Sequence, residues 1–148
     1  MKKVKKADAD KDQEKISKVE EPAAFYGTVR KIPVLKDLTY NDFKKVADKA
    51  PFTQSEWAAI LHVSERTLQR YAKDNHAFAP INAERFALME KVLREAKITF
   101  GKTDIFYNWL KRNPYMLEGN LSLESLTTFE GIQNVLTQMG RIQHGLFA

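Results

Sequence analysis

With 148 residues and no cysteine, the chain has room for one ordinary core or two small ones, and none for disulfides or thiolate-held metals. Its 43% hydrophobic and 11% aromatic content excludes a wholly unstructured polymer, and no uninterrupted apolar run approaches the roughly 20 residues of a membrane helix. A net charge of +5 and a pI near 9.3 suit a polyanionic partner, although the sign alone does not separate DNA from an acidic protein surface.

Residues Met1–Glu21 hold 7 Lys against 6 Asp and Glu, with Val4, Ile16 and Val19 as their only sizeable apolar side chains. Such a segment buries too little surface to offset the entropy of ordering, so residues 1–24 are expected to be a disordered charged tail, and the basic balance sits in the body. Met1–Lys6 leads into charge rather than an apolar signal core, which reads as a cytoplasmic protein. Pro22–Leu38 is a weakly ordered transition broken by Pro33.

From Tyr40 onward the pattern is helical. Asn41 is placed to cap a first helix carrying Phe43, Val46 and Ala47, closed by Pro51. Asn82 is placed to cap a long helix with Phe86, Met89, Val92, Leu93, Ala96 and Phe100 on one wide apolar face, stopped at Gly101. This face is mostly core and leaves room for a dimer seam. Thr103 opens a short helix with Ile105, Phe106, Trp109 and Leu110, and Ser122 precedes a single turn. Thr127 and Glu130 have capping-box spacing for a last helix with Phe129, Ile132, Val135, Leu136, Met139 and Ile142 inward, terminated by Gly145. No segment of strand period and no hairpin dipeptide competes, so the expected class is all-α.

The sharpest local signal is Thr53–Lys73, TQSEWAAILHVSERTLQRYAK. Thr53 and Glu56 can cap each other, Trp57, Ala58, Ile60 and Leu61 supply a short buried helix, and His62–Ser64 is the length of a tight turn. Ser64 then caps a second helix in which Arg66, Gln69, Arg70 and Lys73 form one polar stripe at i, i+3, i+4 and i+7, while Leu68 and Tyr71 turn inward. Taken alone, such a stripe is a solvated face. Coupled to this helix, turn and core pattern, it reads as a recognition helix. Arg pairs bidentately with guanine and Gln with adenine, Lys73 can neutralise a phosphate, and Ser64 and Thr67 can touch backbone oxygens. Many such units place glycine where His62 stands, because that position favours positive φ. His76 and His144 lack metal-ligand spacing and read as surface or structural side chains.

From about Phe43 onward the sequence resembles the Xre/MbcA/ParS family of type II antitoxins, specifically those paired with RES-domain toxins. The resemblance is carried by SERTLQRYAK, ERFALMEKVLREAKITFG, NWLKRNPYMLEGNLSLESL and TTFEGIQNVLTQMGRIQHGLFA. His62 and Ser122 depart from the family pattern, and the charged N-terminus lies outside it. The resemblance implies an Xre-like helix-turn-helix domain (25–80) followed by a helical toxin-binding domain (81–148), acting as a homodimer within a toxin–antitoxin hetero-oligomer. The partner would be a RES-domain toxin that depletes NAD, and the complex would repress its own operon by binding operator DNA. The family's toxin-blocking end maps onto Arg141, Ile142, Gln143, His144, Gly145, Leu146, Phe147 and Ala148. Independently of the family, Leu146 and Phe147 follow the Gly145 stop, where apolar residues either fold back onto their own helix or fill a partner's cleft.

The competing function is a free-standing helix-turn-helix regulator with no toxin partner. An enzyme is not expected: no nucleophile with a nearby base, phosphate-cradling glycine loop or framed carboxylate pair is legible, and neither a cofactor nor a metal is implied. Two-fold pairing would set two recognition helices roughly 34 Å apart on a palindromic operator.

Overall fold

Thr39 opens the first helix of the computed structural model, which describes residues 36–116 and 119–145. The expected tail at 1–24, and the 25–35 stretch after it, lie outside the described residues. Helix α1 (Tyr40–Ala47) starts on a capping box in which Thr39 Oγ1 accepts from the Asp42 N–H and Asp42 accepts from the Thr39 N–H. The cap is therefore Thr39, not Asn41. A box needs an acceptor three residues on, which Asp42 supplies to Thr39 whereas Asn41 would meet Lys44. Asn41 lies inside the helix, and its N–H donates to Asn75 Oδ1 at 2.8 Å. The helix also ends at Ala47, ahead of Pro51.

Helices α2 (Gln54–Leu61) and α3 (Glu65–Asp74) follow, capped by Thr53 with Glu56 and by Ser64. The long helix α4 (Pro80–Phe100) begins on Pro80, whose preset φ and missing N–H suit a first helical position, with Ala79 preceding it and no side-chain cap. Asn82 is thus not the cap. Its amide donates instead to the Leu61 carbonyl at 2.6 Å, satisfying an orphan acceptor at the end of α2. Gly101, at φ +83°, ends α4 as expected.

After α5 (Thr103–Lys111) the chain makes a two-stranded antiparallel element that the sequence did not suggest, β1 (Tyr115–Met116) with β2 (Gly119–Asn120). Two residues per strand are too few to leave an alternating pattern. A short 3-10 helix (Leu123–Thr127) leads into α6 (Phe129–Gln143). Thr128 caps α6 by accepting from the Gly131 N–H at 3.0 Å. Thr127, the expected cap, is the last residue of the 3-10 helix, and its hydroxyl donates to the Glu124 carbonyl.

The described residues from Asp37 onward form one compact unit, and one hydrophobic cluster runs through it. At one end Phe43 meets Trp57, Phe78 and Phe86 edge-on with centroids 5.3–5.8 Å apart. At the other, Phe106, Leu110, Leu126, Ile132, Val135 and Met139 join Met89, Val92 and Ala96. The apolar face of α4 is taken up by this core, with Phe86, Met89, Val92, Leu93 and Ala96 all buried. That leaves those residues nothing to offer a dimer. The residue-80 boundary between the two expected domains falls at the start of α4, and the same core lies on both sides of it. Phe129, expected inward, is 61% exposed. Gly131 is the residue of that first turn set against the 3-10 helix, and Phe129 lies roughly 200° around the helix from it.

Candidate nucleic-acid interface

The turn between α2 and α3 hinges on His62, which adopts the left-handed conformation, φ 60° and ψ 41°. Its N–H closes back onto the Ala58 and Ala59 carbonyls, the usual way a helix end is satisfied. The ring compensates for the absent glycine. Nε2 lies 2.5 Å from the Thr127 carbonyl, so Nε2 carries the proton and donates. Arg85 Nη1 donates to the same oxygen at 2.9 Å. The turn, α4 and the 3-10 helix thus converge on one acceptor. His62→Ala, which keeps the left-handed strain and loses the ring, is expected to cost about 1–2 kcal/mol. His62→Gly, which loses the ring but relieves the strain, should cost less than half of that, and urea denaturation of the two variants checks the order.

Ser64, the cap of α3, accepts from the Thr67 N–H at 3.0 Å and donates to Thr67 Oγ1 at 2.8 Å. The Ser64 hydroxyl is therefore committed to the cap, which leaves the Thr67 hydroxyl proton free to reach an acceptor. Behind them Leu68 is buried, and Tyr71 stacks on His76 with centroids 4.4 Å apart and meets Phe78 edge-on. His76 Nδ1 also lies 2.6 Å from the Ala77 carbonyl. This histidine is exposed and packs on α3 through the Tyr71 ring.

The outer side of α3 gathers the sequence-selected residues. Arg66, Gln69, Arg70 and Lys73 are exposed, Thr67 is half-buried, and together with Ser64 they line one shallow surface groove. The Arg70 guanidinium sits over the Tyr71 ring, 5.7 Å from its centroid. A convex helix with a forked cation in each of two successive turns, an amide between them and an ammonium at its end can enter the major groove and meet base edges.

The C-terminal residues are placed differently. Arg141 and Ile142 are half-buried on the last turn of α6, and His144 and Gly145, the latter at φ +72°, are exposed. Gln143 Nε2 donates to Glu95 Oε2 and to Thr99 Oγ1, both at 2.8 Å, which pins the end of α6 to α4. Leu146, Phe147 and Ala148 lie outside the described residues. Sequence reasoning missed the Gln143 anchor, the Thr127 junction and the hydrogen bonds from Tyr107 to both carboxylate oxygens of Glu56, at 2.9 and 3.0 Å. Desolvation first, then the Glu56 hydrogen bond and charge, raises the Tyr107 hydroxyl above its ordinary pKa, so it stays a donor to the α2 cap. None of these three has a local sequence signal.

Among the described residues no group of three His, Asp or Glu is disposed to hold a metal, and no helix is long and apolar enough to cross a membrane. Residues 34–89 match the family model of the antitoxin Xre-like helix-turn-helix domain, a span that covers α1, α2, α3 and the first half of α4. No curated protein matches the chain.

Proposed function

From an antitoxin-type Xre-like helix-turn-helix domain at residues 34–89, we propose that this chain is the antitoxin of a type II pair. It binds operator DNA through α3 and neutralises a RES-domain, NAD-depleting toxin through its C-terminal segment. The observation that carries the DNA half is the shared outer face of α3, on which Ser64, Arg66, Gln69, Arg70 and Lys73 are exposed beside the half-buried Thr67. Arg66 and Arg70 read guanine edges, Gln69 reads adenine, and Lys73 with the Thr67 hydroxyl holds phosphates.

The toxin half rests on the resemblance of the C-terminal residues and on the way α6 ends. Gln143 fixes the last turn against α4, so whatever follows Gly145 departs from an anchored point. Arg141 to Ala148 then cover the toxin's active site, Leu146 and Phe147 supplying the apolar plug. The chain acts in the cytoplasm as a homodimer that represses its own operon, with residues 25–80 serving DNA and 81–148 serving the toxin.

Deleting Gln143–Ala148 is expected to abolish co-purification with the RES-domain product of the neighbouring gene while leaving operator affinity within about threefold, since α3 is untouched. Retained co-purification and retained rescue of toxin-expressing cells would remove the plugging role. A chain that binds operator DNA and no neighbouring product would be a free-standing regulator.

A further inference from the structure

The outer face of α4 carries a groove that the core leaves open. Ile81 and Phe129 are 68% and 61% exposed there. Together with Glu84, Leu88, Lys91 and Arg94 they line one shallow depression. Ile81, Glu84, Leu88 and Lys91 follow at i, i+3, i+7 and i+10, one stripe along the helix. Glu84 and Lys91 are exposed on it.

Reversed, this stripe complements itself. Consider a second α4 lying antiparallel across the first, with a two-fold axis between Ala87 and Leu88. Glu84 of each copy then faces Lys91 of the other, and Leu88 of each copy meets Leu88 of the other beside the axis. Moving the axis by two residues sets Glu84 against Glu95 and Lys91 against Leu88, so that register loses both opposite-charge pairs.

We propose that this face is the seam of an isologous homodimer in which α4 pairs antiparallel with α4 of a second copy. The proposal rests on the reading that the antitoxin works as a homodimer and gives that dimer its contact surface. A second copy is the occupant because the stripe's charge order matches itself, with opposite charges meeting twice about the axis. Phe129, the first residue of α6, lines the same groove and adds apolar surface from outside α4. Such a seam relates the two α3 helices by a two-fold axis, the symmetry a palindromic operator demands.

Sedimentation equilibrium of the full chain tests it. The intact chain is expected at about twice its 17.1 kDa mass. Glu84→Lys alone, and Lys91→Glu alone, should each weaken self-association by about tenfold or more, because both symmetric pairs turn repulsive. The double variant E84K/K91E should restore it. Unchanged far-UV circular dichroism at these exposed sites separates lost pairing from lost folding. A monomeric intact chain would overturn the seam and the homodimer together. A dimer indifferent to the single swaps would overturn the seam alone, and single swaps not rescued by the double would overturn the antiparallel register.

Discussion

Replacing Arg66 and Arg70 together with alanine is expected to weaken operator binding by about 100-fold or more, with neutralisation of the toxin intact. Each bidentate arginine–guanine contact discriminates by about 1–3 kcal/mol, and both side chains sit on the one face that can enter the groove. The helix itself should survive. Both positions are exposed, alanine is the stronger helix former, and the Ser64 cap and Leu68 anchor are untouched. The structural loss is confined to the contact of Arg70 with the Tyr71 ring, about 0.5–1 kcal/mol at an exposed site. Fluorescence anisotropy at fixed salt, with DNA from upstream of the gene, reads the change. Lys73→Ala in the same assay should weaken binding uniformly across sequences and lower the salt slope by about 1. Unaltered operator affinity in the double variant would place the DNA-binding surface elsewhere.

Gly131→Ala is expected to lower stability by about 3 kcal/mol or more, with a Tm roughly 10 °C lower. A Cβ on Gly131 would overlap the Ser125 carbonyl oxygen, lie 2.7 Å from its carbon and stand 2.8 Å from Thr128 Oγ1. Two of these three are backbone atoms of the 3-10 helix, which cannot swing aside as a side-chain end would. Gly140, in the same helix, is the control. Nothing lies within 4 Å of a Cβ placed there, so Gly140→Ala should stabilise by up to about 1 kcal/mol through helix propensity alone. Thermal unfolding of both variants checks the contrast in sign. Equal effects would mean that α6 does not abut the 3-10 helix at Gly131.

The helix-turn-helix was legible because its determinants are local. The Thr53–Glu56 box, the Ser64 cap and the buried Trp57, Ile60, Leu61 and Leu68 all declare themselves within a few residues. The same holds for Gly101, where a positive φ ends a long helix. What was misread depends on partners far along the chain. Asn82 looks like a cap until the Leu61 carbonyl, 21 residues back, claims its amide. His62 looks like a poor substitute for glycine until Thr127, 65 residues on, accepts from its ring. Thr127 and Thr128 are adjacent hydroxyls; Thr128 starts α6, while the Thr127 hydroxyl is held by the Glu124 carbonyl.

The candidate site divides in the same way. The cationic face of α3 follows from helical spacing alone, whereas the role of the C-terminal residues rests on resemblance, because no spacing rule announces a segment that fills another protein's cleft. Gln143 illustrates the difference: the resemblance assigns it to a partner, and its amide is held by Glu95 and Thr99 of its own chain. An anchored last turn suits the proposed toxin contact, since a segment fixed at its base loses less entropy on docking.

The central claim is tested most directly by the NAD content of cells expressing the product of the neighbouring gene, proposed to be a RES-domain toxin, with and without this chain. The account predicts that NAD collapses with the toxin alone and returns to the uninduced level when the intact chain, or its R66A/R70A variant, is co-expressed. An equal collapse in the presence of the intact, expressed chain would contradict it.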